Sequence, residues 1–79
     1  MYCVADIRKE RICESRDYLF LRKYKSFLHD RDIFVVDVVY ESSLMSTNST
    51  IYHTSNLDSA QHFFDMIYQN MVNYKTDNS

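Results

Sequence analysis

Glycine and proline are both absent from this 79-residue chain, and the omission constrains it more than any residue present. A P-loop or a dinucleotide-binding fingerprint needs backbone positions that only a residue without Cβ fills cheaply. Nucleotide-dependent catalysis by those routes is therefore excluded, and the chain must turn on Asn, Asp, Ser and Lys. Long apolar runs are missing too. None approaches the roughly 18 residues of a membrane-spanning helix. The amino-terminal stretch Met1-Tyr-Cys-Val-Ala-Asp meets charge too early for the apolar core of a signal peptide. Cysteine is scarce: Cys3 and Cys13 are far apart and form no Cys-x-x-Cys pair with which a metal or redox site begins. Without a secretory signal they read as reduced thiols in a cytoplasmic protein, and the sequon Asn48-Ser49-Thr50 carries no meaning.

What is present is ordinary for a globular chain, 46% hydrophobic and 25% charged, and its length allows one domain near the lower limit of a self-sufficient core. The firmest element is Asp32–Glu41, Asp-Ile-Phe-Val-Val-Asp-Val-Val-Tyr-Glu. Its β-branched run predicts a central strand, with Ile33, Val35, Asp37 and Val39 on one face and Phe34, Val36, Val38 and Tyr40 on the other. The second of these faces carries no charge. It is expected to lie away from the helices and to be covered or to meet a partner.

Tyr2–Ile7 predicts a strand, 8–11 a charged turn, and Ile12–Ser15 a short returning strand. From Asp17 the period changes. Phe20, Leu21, Tyr24, Phe27 and Leu28 fall on one stripe of a helix that His29 to Asp32 ends. Ser42–Thr50 reads as a long hairpin loop and Thr50–Thr54 as the return strand. Ser55 or Asn56 caps a second helix from Leu57 to Tyr74, striped with Ala60, Phe64, Ile67 and Met71. The expected fold is α+β: a ββαββα (or βαββα) order, with a mostly antiparallel sheet of three to four strands and two helices on one face. Residues 1–74 form the domain and 75–79 a frayed polar tail.

Chemistry is thinly signalled. His29, His53 and His62 are not spaced as metal ligands, and no elbow motif presents a serine, so no metal, cofactor or enzymatic activity is expected. The charge is polarised. Residues 1–39 hold eight basic side chains against seven acidic ones, while residues 40–79 hold Lys75 against Glu41, Asp58, Asp65 and Asp77. Arg8, Lys9, Arg11, Arg22, Lys23 and Lys25 could meet phosphates, as a weak nucleic-acid-binding regulator would require. The net charge of −2 opposes that role.

Seven tyrosines and five phenylalanines are more aromatic surface than so small an interior needs, and aromatics make efficient interface anchors. The leading expectation is a small non-enzymatic protein-binding module. It would dock on a larger protein that it modulates, or on itself as a homodimer, through Phe34, Val36, Val38, Tyr40, Tyr52, Phe63 and Tyr68. Its size is that of accessory or inhibitory proteins of phages and other mobile elements.

Overall fold

The computed structural model describes residues 2–26, 28 and 30–77. Among them, four strands precede one helix: β1 Tyr2–Arg11, β2 Asp17–Lys25, β3 Asp32–Glu41, β4 Ser46–Thr54 and α1 Leu57–Asp77. The strands form a single antiparallel meander in the order β1-β2-β3-β4. The helix crosses one face and packs on β2, β3 and β4.

The expected first helix is thus a strand, and the two-helix order is corrected to β-β-β-β-α. Residues 17–25 satisfy both periods, because Phe20, Leu21 and Tyr24 lie on a helical stripe while the same residues alternate as a strand. Long-range pairing decides between the two. β2 lies between β1 and β3, with Leu19 opposite Val38, Leu21 opposite Val36 and Phe20 opposite Asp37. As an inner strand it needs apolar groups on both faces, which breaks strict alternation and imitates a helix. Phe27 and His29 lie outside the described residues.

Two further boundaries move. β1 runs through the charged residues 8–11, and Ile12 to Arg16 form the turn rather than a strand. Ile12 accepts bonds from the Ser15 amide and hydroxyl and donates its own amide to the Asp17 carbonyl. Cys13 there has φ 54°, and Asp30, before β3, has φ 43°. The missing glycines are replaced by residues held in the left-handed region. β4 begins at Ser46, so the expected long loop shrinks to Ser42–Met45. There the Ser42 amide and hydroxyl both donate to the Met45 carbonyl, and the hydroxyl accepts from the Met45 amide. The helix starts where expected. Asn56 Oδ1 caps the Ser59 amide at 3.1 Å, and the Asn56 amide donates to Thr54 Oγ1.

The core forms between sheet and helix from Ile12, Leu19, Leu21, Val36, Ala60 and Phe64. Phe34, Val38, Tyr52, Phe63, Ile67, Tyr68, Met71 and Val72 pack around it. The assignment of sheet faces is therefore the reverse of the expected one. The charge-free face of β3 meets the helix, and the face bearing Asp37 is left open. The reason lies in hydrogen bonding. The helix offers only apolar side chains along its inner stripe, so a buried carboxylate there would be orphaned. No helix among the described residues is long and apolar enough to cross a membrane.

Candidate functional site

Two surfaces are left once the helix has covered its side of the sheet: the open face and the outer edges of β1 and β4. The open face is organised by Asp37, which has no exposure although no layer of backbone lies over it. One carboxylate oxygen accepts Arg22 Nη1 at 2.9 Å and the other accepts the Thr50 hydroxyl. Arg22 also donates to Asn48 Oδ1 at 2.9 Å and to Asp6 at 3.1 Å, and its guanidinium lies 4.1 Å from the centroid of the Phe20 ring. Burial alone would lower the Arg22 pKa, but its hydrogen bond and charge pairing with Asp37, joined by Asp6, outweigh burial and raise it. Lys9 adds a second cap, 5.0 Å from the Tyr18 ring and 5.5 Å from that of Phe20. Long polar side chains therefore roof this face, and Phe20, Val35 and Val39 are buried beneath them.

Where that roof ends, Tyr24, Ile33, Val35, Thr50 and His53 line an open hollow of about 380 Å³. Among the described residues no group of three or more His, Cys, Asp or Glu side chains is placed to hold a metal ion.

The basic residues expected to act together are divided. Lys9, Arg11 and Arg22 stand on the open face and Arg8, Lys23 and Lys25 on the helix face. Most already hold an intramolecular partner. Arg8 pairs with Asp65 at 2.7 Å and lies over the Phe64 ring at 4.2 Å. Lys23 pairs with Asp32 at 3.4 Å and Lys25 with Asp30 at 3.2 Å. The hydrogen bond to Asp30 is the main cause of a raised Lys25 pKa. Arg11 folds back to donate to the Ser15 and Glu14 carbonyls.

Most of the residues expected to form a protein interface are spent inside the chain. Val36 has no exposure, and Phe34, Val38, Tyr52, Phe63 and Tyr68 pack against the core. Tyr52 stacks on Phe63 with ring centroids 4.3 Å apart. Tyr40 stays accessible at the end of β3, 46% exposed.

The two edges of the sheet differ. β1 carries Asp6, Arg8, Lys9, Glu10 and Arg11, and its register with β2 shifts between Cys3 and Ala5 and again between Asp6 and Arg8. Charges and bulges of this kind keep an edge from accepting another strand. β4, Ser-Thr-Asn-Ser-Thr-Ile-Tyr-His-Thr, has neither Asp, Glu, Lys, Arg nor proline, and Ser46 to Ile51 are all exposed. Its one shift in register lies at Ile51. Beside β4 on the helix side is a groove of about 510 Å³, lined by Tyr52, Asp58, Ser59, His62, Phe63 and Met66. Leu44 and Met45, in the turn leading into β4, are 94% and 66% exposed. The loop expected over 42–50 conceals this edge. A usable signal was present, since residues 42–57 contain no Asp, Glu, Lys or Arg, an unusual gap in a chain otherwise rich in charge.

No protein-family model, curated protein or solved structure matches this chain.

Proposed function

We propose that this chain is a small non-enzymatic protein-binding module that docks on a larger protein it modulates or on a second copy of itself, and that it binds by accepting a strand at the edge of β4. The observation that carries the reading is the contrast between the two edges. An unpaired ladder without charge, proline or a covering loop is the usual platform for strand addition, in which main-chain bonds supply affinity and flanking side chains supply selectivity. On β4 the flanking groups are Leu44, Met45 and Ile51, together with the groove that runs to Met66. The free thiols of Cys3 and Cys13 support a reducing, cytoplasmic setting.

The test is site-specific photo-crosslinking in the native host. A photoreactive residue at Ile51 is expected to give a discrete protein adduct, and one at Val4 on the β1 edge is expected to give none. No adduct from Ile51, or equal labelling from both edges, would remove the reading.

A second reading, weak nucleic-acid binding on the open face, is favoured by Lys9, which lies over two aromatic rings and for which no carboxylate partner is found among the described residues. Its mark would be an affinity that falls steeply with salt and is weakened by Lys9→Gln.

A further inference from the structure

We infer that the strand added at β4 is β4 of a second copy of this chain, paired antiparallel about a two-fold axis through Asn48. The inference rests on the reading of the β4 edge as the binding surface and names its occupant. It is carried by a symmetry in the residues of that edge. Leu44-Met-Ser-Thr-Asn-Ser-Thr-Ile-Tyr52 reads alike by chemical class from either end: two apolar residues, two hydroxyl residues, the central amide, two hydroxyl residues, two apolar residues.

A two-fold interface requires such self-complementarity, because each residue meets its mirror position in the partner. Centring the pair on Asn48 sets Thr47 against Ser49 of the other copy and Ser46 against Thr50, so that hydroxyls face hydroxyls across the strands. The same register brings Met45, at the end of the turn into β4, level with Ile51 of the other copy, so these two exposed apolar groups are covered together. A like-charge clash cannot arise on the axis, since residues 42–57 contain no Asp, Glu, Lys or Arg. The shift in register at Ile51 falls at the end of the matched segment, where a bulge ends pairing rather than interrupting it.

Shifting the axis to Thr47 would set Asn48 against Ser46 and Met45 against Ser49, and shifting it to Ser49 would set Asn48 against Thr50 and Ile51 against Thr47, so the pattern selects this register. Two four-stranded sheets would then join into one, with both helices on the same face. The contact is small and belongs with weak, concentration-dependent interfaces.

Light scattering on the purified chain should therefore show a molar mass rising from 9.5 kDa toward twice that value between low micromolar and millimolar concentration. Thr47→Lys combined with Ser49→Lys should hold it at the lower value while leaving its circular dichroism unchanged. The register is tested separately in chains carrying Cys3→Ser and Cys13→Ser. A mixture of Thr47→Cys and Ser49→Cys chains should form a disulfide-linked dimer under mild oxidation, at least tenfold faster than either chain alone.

A chain that stays monomeric throughout this range overturns the self-pairing, and so does a dimer indifferent to the lysines or one without preferential mixed crosslinking. The reading of β4 as a binding edge fails on a different result, the absence of any adduct from Ile51. A monomer whose Ile51 adduct contains another protein would overturn this inference and leave that reading standing.

Discussion

Arg22 Nη1 lies 2.9 Å from a carboxylate oxygen of Asp37, a residue with no exposure on a sheet face that the helix does not cover. The pair joins β2 to β3 across directly neighbouring strands, and Thr50 and Asn48 extend the connection to β4. A buried ion pair seldom adds much net stability, but removing one partner strands the other charge at a cost of about 3–5 kcal/mol. Arg22→Met should therefore destabilise the domain by that amount in urea titrations. Arg22→Met with Asp37→Leu should recover most of the loss, because an apolar pair of similar volume needs no hydrogen bonds. If the double variant proves no more stable than the single one, Arg22 is not acting through Asp37.

The charge-free face of β3 makes a second prediction and reverses the one the sequence alone suggests. Had Phe34, Val36, Val38 and Tyr40 formed an interface, lysines at Val36 and Val38 would abolish association and spare the fold. With Val36 fully buried beneath Phe64 and Ala60, Val36→Lys with Val38→Lys should unfold the chain, because neither ammonium has a partner there. Thr47→Lys on the exposed edge should leave the melting temperature within a few degrees of the parent. Circular dichroism melts distinguish the two cases.

The central strand and the capped C-terminal helix were legible because each rests on local pattern: the β-branched run of 32–41, and Asn56 before an apolar stripe. β2 was not, for a specific reason. Tyr18, Phe20 and Tyr24 pack on the open face while Leu19 and Leu21 enter the core, and only knowledge of both neighbouring strands separates that arrangement from a helical stripe. The open face was equally hidden. Nothing in the run from Ile33 to Val39 announces that Asp37 will be met by an arginine fifteen residues away. The turns were obscure because the residues that normally mark them are missing, and Cys13 is not a residue from which a left-handed turn is inferred.

That turn yields a third prediction. Cys13 holds φ 54°, a conformation that disfavours any side chain with Cβ by about 1–2 kcal/mol. Glycine removes that strain but adds freedom to the unfolded chain, so Cys13→Gly should stabilise the domain by about 0.5–1 kcal/mol net. Cys13→Ala keeps the Cβ and should give no gain. A higher urea midpoint for Ala than for Gly would show that the strain at this position is not backbone strain.

The last turn of α1 makes the fourth prediction, a pH-dependent one. Of residues 75–79, expected to form a frayed tail, Asn78 and Ser79 lie outside the described residues, while the helix runs to Asp77 and Lys75 Nζ reaches Asp17 at 2.9 Å, fastening the helix end to the start of β2. That hydrogen bond, reinforced by the charge of Asp17, raises the Lys75 pKa above its ordinary 10.5. A raised lysine pKa means that the fastening is fully present below pH 10.5 and is lost as pH climbs through the higher folded-state value. The Cα chemical shifts of residues 73–76 should move toward coil values over that alkaline range while those of residues 58–70 hold. Asp17→Asn should produce the same change already at neutral pH, and Lys75→Met should remove its pH dependence. If the shifts of 73–76 follow the same alkaline course in Lys75→Met as in the parent, the pair does not hold the helix end, and the wide apolar stripe through Met71 and Val72 does so alone.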